Sequence, residues 1–374
     1  MTGFLSDLAS GITPYVPGEQ PADRQYIKLN TNENPYGPAP GVQKAIEAEI
    51  SNLRLYPDPE CSSLRRCIAE KYGVSTENVF VGNGSDEVLA FAFPAFFTGG
   101  AVLFPNITYS FYPVYADLFQ TRYVEIPLRR DFSIDIRDYE TDGTGLATPE
   151  VTAGEDGRTG GKIRGILIPN PNAPTGVCLG LDQIEKLAAG HSDKVVLIDE
   201  AYIDFGGESA AALTRRYENL LVVMTLSKSR SLAGLRVGFA IGSKVLIDGL
   251  NTVKNSFNSY TIDRLAMAGA EAAIRDEAYF RKTADMIVST RERVADSLIK
   301  LGFDVVPSKA NFLFISHPSI KAAELFKALR ERGILVRYFN KPLIDDRLRV
   351  TIGTDGEMDV FLEAAGELAR RQLR

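Results

Sequence analysis

Residues 220–238 read LLVVMTLSKSRSLAGLRVG, an apolar run that stops at a turn containing Lys228, with Arg236 eight residues further on. Such a run is typical of a strand buried on both faces, as the strands of parallel sheets are. A lysine that leaves a strand of this kind is unusual unless its amine is desolvated for nucleophilic or Schiff-base chemistry. The alternative is a lysine whose stem packs on the protein while its amine reaches solvent.

Two earlier apolar runs end in the same way. The stretch VVLIDEAY, residues 195–202, places Asp199 at the end of a wholly apolar run. Because burying an unpaired carboxylate is costly, Asp199 needs a partner, either a protonated ring nitrogen of a ligand or the first N–H groups of a following helix. The stretch ILIPNPNAPTG, residues 166–176, ends either in a rigid turn or in a loop that presents an amide to a bound ring.

A fourth segment, GNGSDE at residues 82–87, follows a predicted strand and opens a helix. Its free N–H groups and the positive end of the helix dipole favour an anion. The simpler interpretation is a helix start capped by Ser85 or Asp86. A dinucleotide site is disfavoured because Glu87 stands where that motif has its third glycine, and no ribose-binding acid follows about 20 residues on.

Apolar runs and helix-period segments alternate between residues 79 and 241. This alternation predicts an α/β fold with a mostly parallel sheet covered by helices on both faces, whose ligands bind at the carboxyl ends of the strands. The seven predicted strands are residues 79–81, 101–104, 123–126, 165–168, 195–198, 220–225 and 237–241.

The rest of the chain predicts a smaller α+β domain. Its predicted elements are a helical pattern at 262–301, strands at 312–315, 334–337 and 348–352, and helices at 322–332 and 358–371. We expect residues 41–260 to form the large domain, and residues 1–40 together with 261–374 to form an N-terminal segment and the small domain. Residues 141–162, crowded with Gly, Thr, Asp and Glu, are predicted to be a surface excursion.

Composition limits the function classes. The formal net charge is −6, whereas nucleic-acid binding relies on surplus Lys and Arg, so no nucleic-acid partner is expected. The three cysteines and two histidines lack metal-ligand spacing, which predicts reduced thiols and no metal site. The apolar stretches are too short to span a membrane and residues 1–11 lack the pattern of an export signal, so we expect a cytoplasmic protein.

Taken in order, these segments resemble the fold-type I aminotransferases that depend on pyridoxal 5′-phosphate (PLP), and within that family most closely the histidinol-phosphate branch. The resemblance covers nearly the whole chain. Beyond the four segments above, it includes LNTNENPYG at 29–37, RLYP at 54–57, TYS at 108–110, NFLF at 311–314 and LRVTIGT at 348–354. It implies the type I fold, with a mostly parallel seven-stranded sheet in a large domain and a smaller α+β domain.

The resemblance implies roles around the cofactor. Lys228 would form a Schiff base with PLP and later shuttle a proton between the substrate Cα and the cofactor. Asp199 would keep the pyridine nitrogen protonated, Tyr202 would hydrogen-bond the phenolic oxygen of the ring, and Tyr109 would stack on its face. The residues expected to hold the cofactor phosphate are Gly84, Ser85, Asp86, Ser227 and Arg236. Tyr56 would reach the phosphate in the neighbouring subunit, which implies a homodimer.

The resemblance also implies a substrate end of the site. Arg349 would bind the glutamate carboxylate and help bind a substrate phosphate, together with Arg337 and Tyr15, while Asn311 would lie at the same mouth. Two guanidinium groups suit a phosphate dianion, although Arg337 could also be an ordinary surface charge.

One position departs from the pattern of the family. The asparagine that usually precedes Pro-Thr-Gly and contacts the phenolic oxygen of the ring is Ala173 here, and Asn172 stands one residue earlier. We expect Asn172 to make that contact, which requires the loop to shift.

The expected reaction is a ping-pong amino transfer between glutamate/2-oxoglutarate and histidinol phosphate/imidazole acetol phosphate, in L-histidine biosynthesis. An aromatic or broad-specificity aminotransferase would keep the cofactor and change the substrate. A PLP-dependent decarboxylase of a phosphorylated amino acid would use the same residues at the strand ends. A non-enzymatic nucleotide-binding module built on residues 82–87 would not explain why Asp199 and Lys228 both stand at strand ends.

Overall fold

The computed structural model describes residues 3–140 and 162–372. The segment predicted as a surface excursion therefore lies outside the described residues, apart from Lys162. The strands, in chain order, are β1 (Ile27–Lys28), β2 (Val79–Asn83), β3 (Ala101–Pro105), β4 (Arg122–Ile126), β5 (Ile163–Pro169), β6 (Val195–Asp199), β7 (Leu220–Thr225), β8 (Val237–Gly242), β9 (Asp304–Val306), β10 (Phe312–Ser316), β11 (Ile334–Leu335), β12 (Arg337–Tyr338) and β13 (Leu348–Thr351).

The larger sheet has seven strands in the order β2-β8-β7-β6-β5-β3-β4. Strand β8 runs antiparallel to both of its neighbours and the other pairings are parallel, so six strands point the same way. These are the seven strands that the apolar runs predict, and the prediction of a mostly parallel sheet is confirmed. Because the six strands are parallel, their carboxyl ends meet at one edge.

Helices cover both faces of this sheet. The helices, in chain order, are α1 (Asp7–Gly11), α2 (Pro40–Glu49), α3 (Ser62–Tyr72), α4 (Gly84–Ala92), α5 (Phe111–Leu118), α6 (Leu181–Gly190), α7 (Lys244–Phe257), α8 (Arg264–Arg275), α9 (Glu277–Lys300), α10 (Ala322–Glu331) and α11 (Asp355–Gln372). Val79 and Val81 pack in one apolar core with α2, α3, α6 and α8, whereas Phe80 packs in a second core with α4, α5 and α7. Burial on both faces explains why these strands, except the partly exposed edge strand β4, lack polar alternation.

A second sheet of four antiparallel strands, in the order β12-β13-β10-β9, packs with α9, α10 and α11 around a third apolar core. The helical pattern predicted over 262–301 is divided at Asp276, whose side chain accepts the N–H of Tyr279 and so caps α9. The strand predicted at 334–337 becomes two, because β11 pairs with β1 while β12 pairs with β13.

The division of the chain at residues 40 and 260 stays a prediction. Helix α8 packs against the core of the larger sheet, and Phe205 packs in the core of the smaller one. The N-terminal segment continues from β1 toward the edge where the parallel strands end, and Asn34 there donates to the carbonyl of Lys228 at 3.0 Å. Among residues 3–140 and 162–372, no helix combines the length and apolar character needed to cross a membrane.

Candidate active site

A cavity of about 440 Å³ lies where the carboxyl ends of β5, β6 and β7 face the N-terminal segment and the smaller sheet. This is the edge at which ligands of parallel α/β sheets bind. The predicted site residues that line the cavity are Tyr15, Ser85, Asp86, Tyr109, Asp199, Tyr202, Ser227, Lys228, Arg236, Arg337 and Arg349. Elements far apart in the sequence therefore bring most of the predicted residues together.

Lys228 follows β7 by three positions and directs its amine into the cavity. The Nζ donates to the carbonyl oxygen of Thr31 at 3.2 Å and lies 5.8 Å from the centre of the Tyr202 ring. Among the residues that the structure describes, Lys228 forms no ion pair, and the carboxylate of Glu33 attracts its charge only at longer range. An amine held only by a carbonyl is available to a ligand.

Asp199 is the last residue of β6 and is buried, with 5% of its surface exposed. Its Oδ2 accepts the Tyr112 hydroxyl at 2.8 Å, and its Oδ1 accepts the N–H of Ala201 at 3.2 Å. Burial raises the pKa of Asp199 from 3.8 to about 6, although both donors act to lower it. A buried carboxylate on a cavity wall suits a cationic partner such as a protonated ring nitrogen.

The start of α4 forms an anion cradle with Arg236. The helix begins at Gly84 without a side-chain cap, so N–H groups of its first turn are available. Gly84 has a φ of 76°, and a Cβ there would lie 2.4 Å from Nη2 of Arg236, so only glycine allows the guanidinium to come this close. The same guanidinium contacts Ser227 Oγ at 3.4 Å.

Asp86 contributes to the cradle indirectly. Its Oδ2 lies 2.9 Å from Nη2 of Arg236, and its Oδ1 accepts the hydroxyl of Tyr109 at 2.8 Å. A carboxylate repels a phosphate, so its side chain orients Arg236 and Tyr109, while its N–H can face the anion.

Arg349, Arg337 and Tyr15 make another part of the cavity wall cationic and aromatic. Arg349 donates to the carbonyl of Asn30 at 3.0 Å, its Nε has no partner among the described residues, and burial lowers its pKa. Arg337 donates to the carbonyl of Val16 at 3.0 Å. Tyr15 stacks on Phe111, with the ring centres 4.2 Å apart. Both guanidinium groups keep N–H donors for an anionic ligand.

Besides Gly84 of the cradle, three predicted site residues do not line the cavity. Tyr56 is 77% exposed and stacks on Tyr260 at 4.7 Å. Asn311 is fully buried and donates to the carbonyl of Asn32 at 3.0 Å.

The third is Asn172, whose contact with a bound ring stays a prediction. Its amide donates to the carbonyl of Ile107 at 3.0 Å, and Ala173 occupies the position on the cavity wall. That bond uses one of the two amide protons, and Oδ1 has no hydrogen-bond partner among the described residues. The sequence could not reveal this bond, because Ile107 lies 65 residues away.

Two residues that sequence reasoning missed contact the predicted ones directly. Tyr112 is fully buried and donates to Asp199, and Asn32 donates from Nδ2 to the hydroxyl of Tyr202 at 2.9 Å. Asn32 belongs to the quoted stretch at 29–37, so its position was available from the sequence, but its partner 170 residues away was not.

The residues present fit PLP. The uncapped helix start with Arg236 suits its phosphate, the buried Asp199 suits its pyridine nitrogen, and the amine of Lys228 suits its aldehyde. A site with these three features at the carboxyl ends of a parallel sheet defines a PLP-dependent enzyme.

Comparison with known proteins gives the same class. Residues 24–364 match the family described as aminotransferase class I and II. The chain belongs to this family and is a PLP-dependent aminotransferase.

Its relatives specify a branch of the family. The chain is 54% identical over 366 residues to a histidinol-phosphate aminotransferase of Brachyspira hyodysenteriae, with 97% of this chain and 98% of that protein covered. It is 54% identical over 369 residues to one of Clostridium acetobutylicum, with 98% and 99% covered. Among solved structures, histidinol-phosphate aminotransferase from Sinorhizobium meliloti in complex with PLP has a TM-score of 0.84 at 22% identity, covering 99% of both chains. The predicted type I fold is confirmed.

Proposed function

We propose that this aminotransferase transfers the amino group between glutamate/2-oxoglutarate and histidinol phosphate/imidazole acetol phosphate, a step of L-histidine biosynthesis. The observation that carries the proposal is the pair of guanidinium groups, Arg337 and Arg349, which line the same cavity as the cradle residues Ser85, Ser227 and Arg236. The relatives at 54% identity bear the name of this activity and support it.

When bound, PLP supplies an electron sink for the negative charge that develops at the substrate Cα. The cradle of α4, Ser227 and Arg236 would hold the cofactor phosphate, and Asp199 would keep a proton on the pyridine nitrogen. Lys228 Nζ would accept the proton that leaves the substrate Cα. Tyr15 and other N-terminal residues line the cavity and would reduce the access of water to a bound substrate.

The substrate phosphate is the feature that separates this function from its nearest alternative. A guanidinium binds a phosphate through two parallel N–H···O bonds, and Arg337 and Arg349 together offer two such forks. An aromatic amino acid has a single carboxylate, for which Arg349 alone suffices. If the substrate were an aromatic amino acid, the anionic partner left for Arg337 would be the second carboxylate of glutamate.

Replacing Arg337 with glutamine should lower kcat/KM for histidinol phosphate by about 10- to 100-fold, because a hydrogen bond to a charged group contributes about 1.5–3 kcal/mol. Histidinol carries the same amine without the phosphate, and its kcat/KM should change little. The measurement is glutamate formation from 2-oxoglutarate with each amine. Arg281→Gln is the matched control, since Arg281 is an exposed residue of α9 that does not line the cavity.

The same assay tests the alternatives. An equal loss for both amines would mean that Arg337 does not read the phosphate. If wild-type protein used phenylalanine better than histidinol phosphate, the aromatic assignment would replace this one. A decarboxylase would release CO₂ from a phosphorylated amino acid without requiring 2-oxoglutarate.

We also propose a cytoplasmic homodimer in which Tyr56 reaches the cofactor phosphate of the neighbouring subunit. The support is an exposed apolar patch around Tyr56 that a monomer would leave in water. The patch consists of Leu53, Leu55, Tyr56, Phe257 and Tyr260.

Mixed dimers test the role of Tyr56. Subunits carrying Lys228→Ala are mixed and refolded with subunits carrying Tyr56→Ala. If Tyr56 acts across the interface, the mixture contains sites with an intact Lys228 and an intact Tyr56, and activity at limiting PLP rises above that of either variant alone. Without such a rise, Tyr56 does not act across an interface.

A further inference from the structure

Two buried side chains, Thr351 and Asn32, form a directed chain of hydrogen bonds that ends at the half-buried Tyr202. Thr351, the last residue of β13, accepts the backbone N–H of Asn32 and donates its hydroxyl proton to Asn32 Oδ1, both at 3.0 Å. The Nδ2 of Asn32 then donates to the hydroxyl oxygen of Tyr202 at 2.9 Å. Asn32 and Thr351 are 1% and 2% exposed, so water does not replace these partners.

The direction of the chain follows from the chemistry of its groups. A hydroxyl has one proton, and Asn32 Oδ1 is the acceptor that the described residues offer to Thr351. A flipped amide would leave that buried proton without an acceptor in residues 3–140 and 162–372. The network therefore turns Nδ2, which has no free lone pair, toward Tyr202.

Because Asn32 presents an amide N–H, the hydroxyl of Tyr202 can only accept a hydrogen bond from it. Its oxygen accepts from Asn32, so its own proton is free to be donated to a different atom. Tyr202 lines the cavity, 5.8 Å from the amine of Lys228. The acceptor would thus be a ligand atom close to the amine that binds the cofactor.

We propose that Asn32, oriented by Thr351, is a positioning residue that commits the Tyr202 hydroxyl to donate its proton to the phenolic oxygen of bound PLP. The proposal rests on the proposed function for the presence and placement of the cofactor. It gives the stretch at residues 29–37, which contains Asn32, a role in setting the direction of a single hydrogen bond.

The backbone at Asn32 makes clean variants available. Its φ is 56°, in the left-handed region that asparagine, aspartate and glycine adopt with least strain. Asn32→Gly removes the amide without backbone strain, and the carbonyl that accepts from Asn311 is kept. Thr351→Val removes the orienting hydroxyl at nearly constant volume, and Thr351→Ser retains it as a matched control.

The readout is the pH midpoint of the absorbance change of the PLP-loaded protein, measured without substrate. A donor to the phenolic oxygen stabilises negative charge there and lowers the midpoint. Asn32→Gly should raise it by about one pH unit, the size expected for loss of a hydrogen bond to a charged group. Thr351→Val should raise it as well, whereas Thr351→Ser should leave it unchanged.

A double-mutant cycle with Tyr202→Phe decides whether the effect passes through Tyr202. If it does, Tyr202→Phe raises the midpoint and Asn32→Gly adds nothing in that background. An equal shift in both backgrounds, or an unchanged midpoint in Asn32→Gly and Thr351→Val, would overturn the proposal and leave Asn32 a purely structural residue. Because no amino donor takes part, this result is independent of whether histidinol phosphate is the substrate.

Discussion

Lys228→Ala should lower kcat by about 10⁴-fold, the upper range for loss of a positioned proton-transfer group. The amine lines the cavity, and the hydrogen bond that it donates goes to the carbonyl of Thr31 at 3.2 Å, so its removal breaks one hydrogen bond and no described ion pair. Folding should therefore be nearly unaffected. Steady-state rates with histidinol phosphate and 2-oxoglutarate give the loss, and thermal unfolding of the cofactor-free proteins gives the comparison in stability.

A covalent label distinguishes Lys228 from other lysines. Borohydride reduction of the PLP-loaded wild-type protein, followed by peptide mass analysis, should place the cofactor on Lys228 and leave Lys228→Ala unlabelled. Lys186→Ala is the matched control, because Lys186 is an exposed residue of α6 away from the cavity. A reducible cofactor bond in Lys228→Ala, or kcat within tenfold of wild type, would remove Lys228 from its role.

The main sheet could be predicted because burial on both faces leaves a signal within each strand. The runs at β6 and β7 contain no polar residue before their ends, and the residues at those ends, Asp199 and Thr225, mark the cavity. The smaller sheet was less predictable. Strand β9 has only three residues, and the division between β11 and β12 depends on two different partners, which no local pattern encodes.

Prediction of the candidate site from the sequence has the same limit. Residue types that are rare at strand ends, such as Lys228, are visible in the sequence, and so are the glycine and serine of a helix start. Hydrogen bonds between distant segments are not. In the sequence, Tyr112 looks like one more apolar position of a buried helix. Only the structure shows that its hydroxyl donates to Asp199, 87 residues away. Likewise, the hydrogen bond from Asn172 to the carbonyl of Ile107 joins residues 65 positions apart, and no local pattern predicts it.

Asp199→Asn should lower kcat by about 10³-fold and, at the same time, stabilise the cofactor-free protein at pH 8. The catalytic loss follows from removing one partner of a buried ion pair, which costs about 3–5 kcal/mol. The stabilisation follows from the pKa of Asp199, which burial raises from 3.8 to about 6. Above pH 6 the folded protein holds a buried charge that the unfolded chain exposes to water, a penalty of at most about 3 kcal/mol.

The sign of this change in the free energy of unfolding can be checked through its pH dependence. Between about pH 4 and pH 6 the folded state binds more protons at Asp199 than the unfolded state, so the free energy of unfolding of cofactor-free wild type falls as pH rises. Asn has no proton to lose, and the stability advantage of Asp199→Asn should appear above this window and vanish below pH 4. Chemical denaturation at pH 4.5 and pH 8 measures the difference.

Glu200→Gln provides the control that separates charge burial from catalysis. Glu200 is equally buried, and burial raises its pKa to about 8, but it hydrogen-bonds Ser209 and the N–H of Ala210 and does not line the cavity. It should share the stabilisation at high pH and keep kcat within a few-fold of wild type. If Asp199→Asn kept its kcat as Glu200→Gln does, the charge of Asp199 would have no part in the reaction, and its burial at the end of β6 would be only a cost to folding.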